Sequence, residues 1–261
     1  MKKVFLTLAC AACTMALSAE DYNRIGISFD HTGYSFNKEL WATENSNLKD
    51  PVKGFGMNGV GINYIHGFSL SENIPLYLET GANIDFMFGS KKIYDDAESK
   101  NTLKTSNINM QVPVNIAYKF NINDDFSITP YLGINFKVNF STKFKGEYEN
   151  KITGEKEKTD WFSLYSSEDL VKYYSGWEPE DGPISDEAKE KADDLKWNRF
   201  QMGWQVGVGF QYKPIYLGVQ WGTDFIPAYD TKFETTVAGE TISYHPKVNT
   251  NNLKVTLGYV F

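Results

Sequence analysis

Eight stretches of this chain alternate large apolar residues with small or polar ones. A period of two sustained that often is the mark of strands whose two faces meet different surroundings. The apolar rows run through Ile25, Ile27 and Phe29; Val60 to Phe68; Leu76 to Phe88; Ile108 to Phe120; Phe126 to Phe140; Phe200 to Tyr212; Ile215 to Trp221; and Leu253 to Phe261. Short connections at 69–74, 121–125 and 213–214 alternate with long ones at about 37–54, 89–106, 142–199 and 224–251. Short, long, short, long describes an antiparallel up-and-down meander with its long loops at one end and both termini at the other.

Eight such strands close into a barrel in two ways, with the apolar row inside around a ligand or outside in lipid. The other row decides between them. It holds twelve glycines (26, 59, 61, 67, 81, 133, 203, 207, 209, 218, 222 and 258) and only six charges. Glycine on a wet strand face costs entropy and packs nothing, whereas in the narrow interior of an eight-stranded barrel it relieves crowding. The small row is therefore the lumen, and the large row faces hydrocarbon. Aromatic residues make up 15% of the chain. Those in the strands gather toward both ends as two interfacial girdles.

The first residues read as a secretory signal over 1–19: Lys2 and Lys3, an apolar run to Leu17, then Ala16, Ser18 and Ala19. The barrel domain follows at 20–261. Cys10 and Cys13 are the only cysteines, so the mature chain has no thiol for a disulfide, a metal or a nucleophile. The formal charge of -7 argues against a nucleic-acid partner. No apolar run reaches the roughly 18 residues a membrane helix needs.

MQVPVNIAYKF, ITPYLGINF, WQVGVGFQYKPIYLGVQWG and NLKVTLGYVF resemble the strands of the small outer-membrane β-barrel ("porin family") proteins of Bacteroidetes and related bacteria. The resemblance implies an all-β, eight-stranded transmembrane barrel in the outer membrane. It supplies no catalytic residues. The outward row Leu257, Tyr259 and Phe261 is similar to the C-terminal assembly signal of such barrels, which implies the barrel-assembly machinery as a partner during biogenesis. Outer-membrane lipid is then the permanent partner, and both termini are periplasmic.

The lumen row carries Asp30, Glu79, Asp85, Lys119, Lys137 and Lys254, with Arg24 near the base. Buried charges persist when paired. The set reads as a salt-bridged plug, or alternatively as the constriction of a narrow channel for small solutes. Histidines are His31, His66 and His245. His31 stands near Asp30 and Ser35, but Asp30 faces the other way, so a barrel enzyme acting on lipid or peptide is the weaker reading. No cofactor or metal set is expected.

The third long loop, about 142–199, has fifteen acidic residues against nine lysines. SSEDLVKYY and ISDEAKEKADDLKW within it predict short helices capped by Ser166 or Ser167 and by Ser185, with Glu187 and Lys191 paired. This loop is the expected place for an extracellular ligand or protein. Its aromatics Trp161, Phe162, Tyr165, Tyr173, Tyr174 and Trp177 are the candidate surface, and Glu178, Glu180 and Asp181 a conceivable calcium set.

Overall fold

A computed structural model describes residues 21–37, 54–71, 74–175, 182–237 and 240–261. Eight long strands form a ring: β1 (Tyr22–Phe36), β2 (Gly56–Ser69), β3 (Leu76–Asp95), β4 (Ser99–Tyr118), β5 (Phe126–Asn150), β6 (Phe200–Tyr212), β7 (Ile215–Asp224) and β8 (Lys247–Val260). Each pairs antiparallel with its neighbour in sequence, and β8 pairs with β1 from Val260 opposite Arg24 to Val248 opposite Phe36. Asn23 and Phe261 exchange backbone hydrogen bonds of 2.9 Å beyond that register, so the seam is paired up to the last residue.

Closure satisfies the ladder without leaving an edge, and the faces then sort as the alternation requires. Outward Ile27, Val60, Ile62, Leu132 and Leu257 are more than half exposed. Inward Glu79, Asp85, Gln201 and Lys137 are almost wholly buried. An apolar exterior around a polar interior suits hydrocarbon surroundings, where every backbone amide must be paired within the protein. Tyr131 and Tyr216 project inward and stay buried. A Cβ at Gly207 would collide with the Tyr131 ring, and one at Gly209 or Gly218 with the Tyr216 ring.

Three connections depart from the sequence reading. The stretch 89–106 is largely strand, because β3 and β4 run on to a tight turn in which the Asp96 carboxylate accepts from the amides of Glu98 and Ser99 at 2.8 and 2.7 Å. β5 likewise continues to Asn150 and is flanked there by Lys156–Lys158. The β5 extension alternates Lys143, Lys145, Glu147 and Glu149 with Phe144, Gly146 and Tyr148, a period of two that a hydrophobicity reading passes over. The last long connection is shorter than expected: β8 starts at Lys247, after a separate hairpin of Phe233–Val237 and Glu240–Tyr244.

The two expected helices are present as α1 (Ser167–Ser175) and α2 (Asp186–Asp193). Ser166 Oγ accepts from the amide of Asp169, and Ser185 Oγ from that of Ala188. Lys191 donates to Glu187 at 2.9 Å. The expected signal over 1–19, with Cys10 and Cys13, and Trp177, Glu178, Glu180 and Asp181 lie outside the described residues.

Candidate functional site

The lumen is filled in layers. Nearest the short turns, Tyr22 donates to Glu79, and Arg24 donates to the same carboxylate at 3.2 Å. The Arg24 guanidinium also lies 3.8 Å from the centroid of the Tyr216 ring. Midway, Lys254 Nζ sits 3.1 Å from Asp30 Oδ1 and 3.1 Å from Asp85 Oδ1. Ser28 donates to Asp30 Oδ2, and Gln111 to Asp85 Oδ2, each at 2.6 Å. Higher up, Lys137 pairs with Asp224, which also accepts from Thr250.

Asp30, Glu79, Asp85, Lys137 and Lys254 thus all lie in the lumen, but they divide among three separate pairings. Lys119 is not with them. It sits half-buried at the short-turn rim, its backbone amide bonded to Pro75 and its Nζ 5.9 Å from the Tyr22 ring centroid. Asp224, read from sequence as the start of a loop, closes β7 and takes the place of a lumen partner for Lys137. The described lumen therefore holds three cations, Arg24, Lys137 and Lys254, against four carboxylates, Asp30, Glu79, Asp85 and Asp224.

Side-chain amides connect these layers. Gln111 donates to Asn109, Asn109 to Asn107, and Asn107 to Asn139 and Thr142, at 2.7 to 3.1 Å. Asn139 donates to Gln201 at 2.8 Å, and Gln201 to Thr250 at 3.3 Å. Such a network rigidifies when its members are satisfied. Its signal in the sequence is the run Asn107, Asn109 and Gln111 at two-residue spacing, on the lumen face of β4.

Above the amides the lumen turns apolar. Tyr34, Phe55, Met57, Met87, Tyr229 and Val248 form a buried cluster, with Phe144 and Trp197 packed against it. Phe162, Leu164, Leu170 and Ala192 continue it beneath the two helices. Residues 151–175 and 182–199 are therefore a lid with its own core. Thr142 at the end of the amide chain is hydrogen-bonded to Tyr165 of the lid at 2.8 Å, and Arg199 lies 4.5 Å over the same ring. Burial pushes the Tyr165 phenol up to about 12.

Between the Arg24 and Lys254 layers lies a cavity of about 20 Å³, lined also by Asn63, Asn83, Tyr131 and Gln220. That is room for about one water molecule. Among the described residues no cluster of three or more histidines, cysteines or carboxylates is arranged to hold a metal. His31 is hydrogen-bonded to Asn58 at 2.8 Å while Asp30 turns inward to Lys254. His66 contacts Asn23 at 2.8 Å, and His245 pairs with Asp230. In the terminal strand, Leu257, Tyr259 and Phe261 are about half exposed on the outer face, and the last two rings are 6.4 Å apart.

Comparison with known families gives a match of residues 4–261 to the outer membrane protein beta-barrel domain. The chain belongs to this family. It is a bacterial outer-membrane β-barrel protein, and the apolar-faced stretches of its eight strands are its transmembrane segments. Solved structures similar to this family member include Ail, the attachment invasion locus protein of Yersinia pestis. It is 10% identical, over 92% of this chain and 99% of its own, with a TM-score of 0.28. OprG from Pseudomonas aeruginosa is 12% identical over 93% and 96%, TM-score 0.34. The outer membrane protease OmpT from Escherichia coli is 10% identical over 95% and 99%, TM-score 0.21. No curated protein matches the chain.

Proposed function

We propose that this protein is a plugged, non-enzymatic barrel that presents its long-loop end to the outside of the cell, with both termini in the periplasm. The observation that carries the reading is the stacking of three ion-paired layers, an amide network and an aromatic lid along one lumen, with a cavity of about 20 Å³ between the Arg24 and Lys254 layers. An eight-stranded interior is wide enough for side chains and little else. The lid, with exposed Trp161 and Tyr173, is then the surface offered to an extracellular ligand or protein, and 1–19 is the export signal. The terminal row Leu257, Tyr259 and Phe261 serves as the handle for the assembly machinery.

Planar-bilayer recording tests the plug. Purified wild type is expected to show no stable conductance. A steady ion current whose selectivity reverses in Lys137→Glu would overturn the plug and establish a narrow channel for small solutes in its place.

A further inference from the structure

The acidic balance of this chain is locally inverted on one outer wall. β5 carries a bulge where Ile108 of β4 faces Ser141 and Asn109 faces Asn139. The extra residue exchanges the two faces beyond it, so Thr142 and Phe144 turn inward to the lid while Lys143 and Lys145 turn outward. In the register, Lys143 lies opposite Ser106, and Lys145 lies directly opposite Lys104. Ser106 and Lys104 in turn lie opposite Phe88 and Ser90 of β3. Three lysines therefore share one outward patch immediately above the exposed aromatics Phe88 and Phe140.

Two like charges directly opposite across a ladder destabilise it unless an anion lies between them. Glu147 satisfies only part of this patch. It binds Lys104 at 2.8 Å and Lys158 at 3.8 Å. Lys143 and Lys145 form no ion pair among the described residues. At roughly 3.3 Å per residue and a strand tilt of about 40°, Lys143 stands about 5 Å beyond the Ile108 row and the Lys104–Lys145 pair about 10 Å beyond it. The headgroup layer occupies roughly the first 5 to 8 Å outside the hydrocarbon. Elsewhere around the ring, outward positions above the last apolar residues include Asn58, Thr223, Asn249 and Asn251, which carry no charge, and Lys247, which is paired with Asp230 at 3.4 Å.

We propose that Lys104, Lys143 and Lys145 form a docking sector for the phosphate-bearing headgroup of a membrane lipid, whose acyl chains lie against Phe88, Ile108 and Phe140. The aromatic belt directly below favours a lipid over a soluble anion, because the same wall receives the headgroup and the chains. Placing that lipid in the outer leaflet rests on the orientation proposed above. The preference for a phosphorylated lipid does not.

The test is native mass spectrometry of the intact protein in neutral detergent, titrated with lipid A, a bis-phosphorylated acylated glucosamine disaccharide, and separately with phosphatidylcholine. Wild type should retain lipid A preferentially. K143Q/K145Q leaves the Lys104–Glu147 pair in place and should weaken retention roughly ten- to thirty-fold, taking each lysine near a charged lipid surface at its usual contribution. K189Q/K191Q, on α2, should retain as wild type does. Equal retention by wild type and K143Q/K145Q overturns the site. Displacement of the adduct by equimolar inorganic pyrophosphate overturns the lipid as its occupant. Orientation is read separately, by labelling Lys189 and Lys191 on intact cells with an impermeant amine reagent. Labelling supports an outward long-loop end. Labelling only in broken cells overturns the orientation and leaves the lipid site standing.

Discussion

Two lysine–carboxylate triads sit at different heights of this molecule. In the lumen, Lys254 lies between Asp30 and Asp85, 3.1 Å from each, with all three side chains at most 6% exposed. On the protruding β3–β4 hairpin the charges are exchanged: Asp95 lies between Lys92 at 2.8 Å and Lys151 at 2.7 Å, and the two lysines are 63% and 35% exposed. The shorter contacts belong to the triad that contributes less. Water screens the hairpin, and its long side chains give up entropy to hold their geometry. The lumen offers no such screening, and a charge stranded there keeps its full desolvation penalty. Distance alone does not rank ion pairs; the surroundings do.

The contrast is broken most strongly at Lys254. Lys254→Met leaves two carboxylates facing each other in the lumen and should cost about 3 to 5 kcal/mol, measured by urea unfolding in lipid vesicles. Adding Asp85→Asn should recover much of that loss. If it recovers none, the triad is not what Lys254 stabilises. Phe261→Asp is next. A charge near the interfacial girdle costs only about 0 to 1 kcal/mol in fold stability, so the purified variant should refold nearly as well as wild type. Its level in the outer membrane should nevertheless fall sharply. Normal levels would refute the assembly role of the terminal row.

The smallest effect is at the hairpin. Asp95→Asn should leave the unfolding midpoint unchanged at neutral pH. Hydrogen bonds from Lys151 and then Lys92 lower the Asp95 carboxyl to about 2. A depressed carboxyl contributes stability above its unfolded value of about 3.9, and the contribution disappears as pH falls toward 2. Protection of the hairpin amides from hydrogen exchange should therefore decline between about pH 4 and 2 in wild type. The decline should be absent in Asp95→Asn.

The same contrast explains what was legible from sequence. The barrel could be read because lipid imposes one rule on every strand, large outward and small inward, and Leu253 to Phe261 obeys it as plainly as Val60 to Phe68. The partners within the lumen could not. Lys137 has Asp224, not Asp85 or Glu79, because pairing across a ring depends on tilt and shear, which no single strand encodes. Lys119 follows the inward alternation but lies past the last paired residue of β4, Tyr118, where alternation no longer assigns a face. The hairpin extensions were missed because Lys143, Lys145, Glu147 and Glu149 alternate in charge instead of hydrophobicity. Helix caps at Ser166 and Ser185 were readable because a cap is settled within four residues.

The seam between β1 and β8 also bears on how the chain comes to be folded. Every other junction joins neighbours in sequence, so each closes a loop far shorter than the whole chain, the longest running from Asn150 to Phe200. Joining Asn23 to Phe261 closes a loop of nearly the whole chain, and the entropy of that step grows with the logarithm of its length. Until it happens the sheet has two long unpaired edges, one along Tyr22–Phe36 and one along Lys247–Val260, each able to template the wrong neighbour. A curved sheet held open in water would find another chain before its own end. The ring is therefore favoured wherever those two edges are kept from other chains until β8 reaches β1.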